Sequence, residues 1–598
     1  MGGGYYKDSE GHRLLLRGIC SLLLCCPLLY VTMAVPLLQA PLPLRFEKDR
    51  VGLGICELLV VMVIFLINRR IFQEGLGDIR RKLPSVSTAA VFGSWASFGL
   101  SVNQLLVMSM AQAEGREGVL RAAQEELCFD AAGLMLTIVV LLRAIENAAS
   151  KRAGHRRIFT ATDKVTRIFV PFVLVSAILT VVLGILAGRE PERAVWYAVT
   201  VLCVGVPCTA GVAIPLGLME GGRIGEKHGI RYRSAPIIKT FAEVEHAILD
   251  KTGVVTEGAP RVTDVLPNET VGVPVLLAAA GMLESQMHSP LAEAVMKHIA
   301  DNGESYTEAD RFQKLSGSKA AAYYNGSMYY AGGQVFIYEM LRETDGEEDF
   351  VDFVRTWKIE RYEKDGKTPL FFAQDTKLLG ALMVADPLRP EAAGAIRRLK
   401  ALGVNVLLFS DDEERVATAI GKSVGVETVI AGTTQRVKQR IVFRLKRRFG
   451  NTMAVGDGVH DTVVTEAANF GVVIHGKEPI NEKKIMADIL TRNRDLMDVP
   501  RAVVLARSIR RRARQNLVIG SIYQLLAISL SAGLWEPFLG IAIPPVGGAA
   551  LMGGYALLVI ANVKRLTFVN LDRIRPYARP RKKVSYGRII FTSLEKEK

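Results

Sequence analysis

The sequence is short of the features that hold small secreted domains together. Its 598 residues include only seven cysteines, Cys20, Cys25, Cys26, Cys56, Cys128, Cys203 and Cys208, and each lies in or beside an apolar segment. A disulfide framework is therefore not expected, and without a soluble Cys-x-x-Cys pair neither is a zinc module of that kind. A basic stripe interleaved with aromatics is also missing from the polar segments, so nucleic-acid binding is disfavoured although the formal net charge is +15. No small-residue cleavage site follows the first apolar run. Lys7, Arg13 and Arg17 give its start the look of a signal peptide, but more such runs follow, and it reads as a retained membrane span.

What the chain has in quantity is apolar length. Hydrophobic residues make up 49% and the mean hydropathy is +0.23, too apolar for an ordinary soluble enzyme and suited to a membrane protein with soluble parts. A helix crosses the hydrocarbon layer with about 20 apolar residues. Eight runs qualify: residues 14–38, 51–67, 88–110, 129–142, 168–187, 195–218, 517–534 and 538–563. Arg69, Arg70, Arg80, Arg81 and Lys82 follow the second run, and Arg143, Lys151, Arg152, Arg156 and Arg157 follow the fourth. The positive-inside rule then puts both connectors, both termini and the polar segment 220–514 in the cytoplasm, with the plasma membrane as the expected location. The basic tail at 579–583 suits anionic lipid.

The polar segment has the rhythm of a parallel α/β domain. Strand-like runs HisAlaIleLeu before Asp250, ValAsnValLeuLeuPhe before Ser410 and ThrMetAlaVal before Gly456 alternate with helical stretches such as 390–403. Ligands of such sheets sit at the carboxyl ends of the strands, and Asp250, Asp412 and Asp457 fall there or just beyond. Taken singly, Asp250 is equally a residue at which a strand leaves a buried sheet. Two carboxylates at neighbouring strand ends repel unless a cation lies between them, and a hard Mg2+ with carboxylate, carbonyl and water ligands is the natural occupant. A carboxylate beside such an ion can attack phosphorus and form an acyl-phosphate. Lys438 would neutralise the transferring group, and Asp461 in the turn 456–461 offers a further carboxylate.

AspLysThrGly at Asp250, GlyLysThr at Gly366, AspProLeuArg at Asp386, SerAspAsp at Ser410, Lys438 and GlyAspGlyValHisAsp at Gly456 occur in one order. In that order they resemble the motif series of P-type ATPases, and the resemblance runs from about residue 51 to about residue 564. It implies phosphorylation of Asp250 with Ser410, Asp412 and Lys438 around it, and Mg2+ held by Asp250, Thr252, Asp457 and Asp461. It also implies ATP at Lys367, Thr368, Gly317, His288 and Arg389. Two spans ahead of the usual six, and LeuProSerValSerThrAlaAlaValPheGly from Leu83, resemble the heavy-metal branch, most closely its copper-type members. ValProCys at 206–208 stands where that branch usually has CysProCys. Cys208 and Met552 are then the implied ligands of the transported ion, soft donors that suit Cu(I).

Several features depart from that pattern. Residues 143–167 join the fourth and fifth runs where the family carries an actuator domain with ThrGlyGlu, a tripeptide absent from this chain. Its glutamate positions the water that hydrolyses the phosphoenzyme, so slow dephosphorylation is expected unless a protein partner supplies the function. His460 replaces the usual Asn, Asp411 replaces the Gly of ThrGlyAsp, Gly317-Ser318-Lys319 keeps one glycine of GlyxGly, and Ser289 separates His288 from Pro290. Tyr523-Gln524 and Met552-Gly553-Gly554-Tyr555 stand in place of TyrAsn and MetxxSerSer. An intramembrane cysteine is most often a small packing residue, a reading that suits Cys203 better than Cys208. Glu57, costly inside a span, is expected near the membrane interface.

The expectation is a polytopic α-helical membrane protein of about eight spans, with a cytoplasmic α/β haloacid-dehalogenase-like phosphorylation domain and an inserted α+β nucleotide-binding domain. Spans 1–4 fall in 1–142, the connector in 143–167, spans 5–6 in 168–230, the phosphorylation domain in 231–258 and 376–500, the nucleotide-binding domain in 259–375, spans 7–8 in 501–566 and the tail in 567–598. The implied function is ATP-driven transport of a copper-like cation through an aspartyl-phosphate. Its partners are membrane lipid, the cation and an actuator-like protein, with no nucleic acid. One alternative is a membrane-bound pseudo-ATPase that senses nucleotide or metal, or regulates or scaffolds a partner. Another is a tethered phosphatase, disfavoured because Thr252 occupies the place of that class's acid/base Asp. The topology is open to a direct check: in a cysteine-free background, a cysteine introduced at Gly115 is expected to be labelled only from the outer side, and labelling from the cytoplasm overturns the assignment.

Overall fold

A computed structural model describes residues 8–34, 49–81, 83–152, 160–206, 208–315, 319–343, 346–458, 462–475 and 487–573. They divide into two units, one of residues 1–224, 234–236 and 508–569, the other of residues 225–233, 237–507 and 570–598.

In the first unit, six helices among the described residues are long and apolar enough to cross a membrane: Gly11–Thr32, Arg50–Ile67, Val86–Ala113, Glu117–Ala149, Arg167–Leu186 and Pro545–Phe568. Leu66, Ile168, Leu186 and Leu557 on these helices are exposed, as side chains facing lipid tails would be, and the protein is an integral membrane protein. Two of the eight expected runs take another form. Run 195–218 is divided into helices Pro191–Val204 and Cys208–Lys227, because Pro207 lacks the amide hydrogen that a continuous helix needs. Run 517–534 lies in the helix Asp498–Ser531 up to its end at Ser531, and the helix interior mixes Asn516, Ser521, Tyr523 and Gln524 with its apolar residues. Glu57 is buried within the protein, and its Oε2 has no hydrogen-bond partner among the described residues. Helices Phe129–Arg152 and Thr160–Leu186 reach into the expected connector, and residues 153–159 between them lie outside the described set.

The second unit holds two sheets. Its strands in chain order are β1 Ile230–Tyr232, β2 His246–Asp250, β3 Arg261–Pro267, β4 Arg311–Lys314, β5 Ala320–Tyr324, β6 Ser327–Gly332, β7 Thr368–Gln374, β8 Lys377–Ala385, β9 Asn405–Phe409, β10 Thr428–Ile430, β11 Thr452–Gly456, β12 Phe470–Ile474 and β13 Ile489–Thr491. The first sheet runs β1-β13-β12-β11-β2-β9-β10 and is parallel except at β1. Strands β2, β11 and β12 are buried at every residue, which explains why they read as continuous apolar runs and not as alternating ones. The helix expected over 390–403 forms at Ala392–Ala401.

The second sheet, β3-β8-β7-β6-β5-β4, is antiparallel. Successive side chains of a strand point to opposite faces: Leu370 and Phe372 pack with Leu276, Leu283 and Val295, whereas Phe371 and Ala373 pack with Ile337, Phe350 and Phe353. The boundary expected at 375 is corrected here. It cuts a hairpin, because β8 pairs with both β7 and β3, so this sheet extends to Ala385. Ser289 also has a local role, capping the helix Pro290–Asp301 by accepting from the Ala292 amide at 3.1 Å.

Glu284, at the end of the helix Val273–Glu284, is buried with no hydrogen-bond partner for Oε1 among the described residues. Burial pushes its carboxyl from 4.5 up to about 7. The folded chain then holds this proton more tightly than the unfolded chain does, so stability falls as pH rises from the lower value through the higher one. Glu284→Gln is expected to melt at a higher temperature than the parent at pH 8, by the equivalent of roughly a few kcal/mol at most, with the advantage gone at pH 4.5. An equal difference at both pH values overturns this account.

Candidate phosphoryl-transfer site

The register of the parallel sheet brings three chain segments to one edge. Leu249 of β2 pairs with Val455 of β11, and Asp250 pairs with Phe409 of β9. Asp250, Ser410 and Asp457 therefore leave adjacent strands side by side, where the chain must turn out of a fully buried layer.

The turn after Asp250 is tied down on all sides. The Thr252 amide donates to Asp250 Oδ2 at 3.1 Å. Gly253 has φ +73°, a left-handed conformation that favours glycine, and a Cβ there would lie 3.0 Å from Asp457 Cβ. The guanidinium of Arg389 donates to the carbonyls of Gly253 and Thr256, each at 3.0 Å. Asp386 accepts from the Thr256 hydroxyl and from the amides of Gly258 at 3.0 Å and Ala259 at 3.1 Å. Arg389 thus holds the loop, a placement the sequence reading, which set it beside nucleotide, did not anticipate.

Lys438 enters from the helix Gln435–Phe449, fully buried, and its Nζ lies 2.7 Å from Asp250 Oδ1 and 2.7 Å from Asp411 Oδ1. Burial disfavours the charge on this lysine, but the Asp250 and Asp411 carboxylates outweigh it and its pKa is raised. It stays cationic at neutral pH. Beside this group, Asp412 is engaged by Lys251 and by the Ser410 hydroxyl at 3.0 Å, and Thr368 reaches it at 3.5 Å. Lys251 and Asp386 were not singled out from the sequence, although both lie inside the quoted motifs.

The remaining residues are less concentrated. Lys367 pairs with Asp264 at 2.7 Å; burial raises the Asp264 pKa, but the Lys367 and Thr263 contacts outweigh it and the carboxyl is held low. His288 is exposed in the loop before the helix Pro290–Asp301. Gly317, Asp461 and the side chain of Cys208 lie outside the described residues. In the membrane unit Met552 is buried, Tyr523 donates to the Leu551 carbonyl at 2.8 Å, and the Gln524 amide donates to the Val204 carbonyl at 2.6 Å, where the divided helix stops.

Comparison with known proteins bears on this arrangement. The family of haloacid dehalogenase-like hydrolases matches residues 244–469. A copper-transporting P-type ATPase of Rhizobium leguminosarum bv. viciae is 30% identical over 72% of this chain and 50% of its own length. The probable copper-transporting ATPase PacS of Synechococcus elongatus is 31% identical over 71% and 55%, and a silver exporting P-type ATPase of Salmonella typhimurium 28% over 73% and 52%. The chain spans about half the length of the curated relatives it matches. Among solved structures, a zinc-transporting PIB-type ATPase in its E2.Pi state aligns with a TM-score of 0.62 at 17% identity, over 93% of this chain and 99% of that one, a likeness of fold.

Fold and site together define a membrane protein with a haloacid dehalogenase-like domain. Within that class the chain is similar in sequence to P-type ATPases described as copper and silver transporters.

The buried pair is the most testable part of the geometry. Lys438→Met removes the cation and leaves the Asp250 carboxylate without it, and is expected to cost about 3–5 kcal/mol, read as a lowered melting temperature of the purified chain. Adding Asp250→Asn is expected to recover part of that loss. Equal melting of parent and Lys438→Met would show that the pair is not a stability element.

Proposed function

We propose that the chain uses ATP to phosphorylate Asp250 and couples this to movement of a heavy-metal cation across the membrane. One observation carries the reading: Asp250 at a buried strand end with Lys438 at 2.7 Å and Asp457 just past the end of the neighbouring strand. A carboxylate, a backbone carbonyl and a second carboxylate are an oxygen donor set that fits Mg2+. Asp250, Thr252 through its carbonyl, Asp457 and Asp461 would hold that ion, which supplies charge neutralisation when bound. Asp250 attacks the terminal phosphorus of ATP, and the bond to the departing ADP oxygen breaks. Lys438 and Ser410 hold the transferring group, and Asp412 fixes Ser410 and Lys251. Positioning and electrostatics supply most of the rate in such transfers. Lys367, Thr368, Gly317 and His288 are proposed nucleotide contacts, with Arg389 acting by holding the loop after Asp250.

A copper-like ion is favoured by the soft donors Cys208 and Met552 and by relatives described as copper or silver transporters. The basic connectors support cytoplasmic termini, and the plasma membrane is the proposed location. A membrane-bound pseudo-ATPase is the second reading, favoured by the short segment 143–167 without ThrGlyGlu; a partner carrying actuator function would reconcile that segment with transport.

MgATP labelled at its terminal phosphate is expected to give an acid-stable phosphoenzyme in membranes, absent in Asp250→Asn and dependent on one of Cu(I), Zn2+ or K+, with Cu(I) expected to act. No label in folded protein under any of these ions leaves the regulatory reading.

A further inference from the structure

The reaction proposed above ends on an acyl-phosphate that water must cleave, and the chain lacks the tripeptide that usually positions that water. The carboxylates around the site are not equivalent. Asp250 is the nucleophile. Asp412 is engaged by Lys251, Ser410 and Thr368. Asp457 packs beside Gly253 and belongs to the proposed Mg2+ set. Asp411 is different: Oδ1 lies 2.7 Å from Lys438 Nζ, one ammonium away from Asp250, while the side chain as a whole is 67% exposed. It is anchored at its inner end and open to water at its outer one. The adjoining backbone is fixed, since the Ser410 amide donates to the Ile430 carbonyl at 3.0 Å and the Asp412 amide to the Ser410 hydroxyl at 3.1 Å.

We infer that Asp411 supplies the hydrolytic step from within the chain, orienting the attacking water and accepting its proton. The assignment rests on the phosphoryl-transfer reading. In the step the water oxygen bonds to phosphorus as the bond from phosphorus to the Asp250 oxygen breaks, its electron pair returning to the Asp250 carboxylate. One water proton passes to Asp411, inorganic phosphate departs, and Asp411 returns the proton to solvent through its exposed face. Lys438, between the two carboxylates, offsets the repulsion that Asp411 would otherwise exert on the phosphoryl group. A glycine at 411 offers no acceptor for that proton.

The test uses the full chain in membranes, labelled with ATP and chased with unlabelled ATP. Asp411→Gly and Asp411→Asn are expected to form label and lose it at least about tenfold more slowly than the parent, within the range of general-base contributions; Asp411→Glu is expected to keep most of the parent rate. A second readout is binding: aluminium fluoride with Mg2+ and no nucleotide, which leaves the apical position opposite Asp250 to water, is expected to raise the melting temperature less in Asp411→Gly than in the parent. Beryllium fluoride, which mimics the acyl-phosphate itself, is expected to act equally on both. Equal decay in the parent and Asp411→Gly overturns this assignment alone, as does more label with unchanged decay, which reduces Asp411 to a competitor for Lys438. Absence of any Asp250-dependent label in the parent overturns the phosphoryl-transfer reading and this assignment with it.

Discussion

The second unit depends on keeping a carboxylate at the end of a fully buried strand. Removing a charge from water costs several kcal/mol unless an opposite charge and hydrogen bonds meet it. Asp250 is met by Lys438, 188 residues away in sequence, and by the Thr252 amide. With β2 between β11 and β9, the helix preceding β11 presents its lysine across the strand end. The chain leaves β2, turns at Gly253, departs into the second sheet and returns at Asp386 and Arg389, and these two side chains grip the same turn. A domain-sized excursion is thus clamped at its base by the residues on its return.

An equivalent problem is solved in the membrane unit with neutral groups. Where hydrocarbon replaces water, every backbone polar group needs a partner within the protein. The helix ending at Val204 leaves a carbonyl without its intrahelical donor, and Gln524, nearly buried on another helix, donates to it. Tyr523 next to it ties to Leu551 and stacks on Tyr555 with ring centroids 5.2 Å apart. A divided helix is tolerable here because an amide long enough to reach it stands opposite.

Much of this was legible in the sequence, and the reason is local. Continuous apolar runs ending in an acid mark buried parallel strands, and β2, β9 and β11 form where those runs lie. The hairpin between β7 and β8 was less legible, since apolar residues run through both strands and Asp375-Thr376 at the turn resembles a domain junction as much as a tight turn. The tie between Lys251 and Asp412 joins residues 161 apart, and the burial of Glu57 depends on which helices surround it. Neither leaves a periodic trace in one chain. Arg389 shows a different limit, because its motif is plain while its work on the Gly253 loop is visible only once the loop is folded.

The departures from the P-type pattern can be sorted by what the new side chain touches. Ser289 interrupts His288 and Pro290 and caps the helix that follows. Gln524 stands in place of the usual Asn and satisfies the Val204 carbonyl. Asp411 replaces a glycine and meets Lys438. Folded proteins pair their buried polar groups whether or not a site is in use, so the Ser289 and Gln524 bonds record what the fold requires where they stand. Asp411 alone of the three lies beside Asp250, and there it leaves the Lys438 ammonium between two carboxylates.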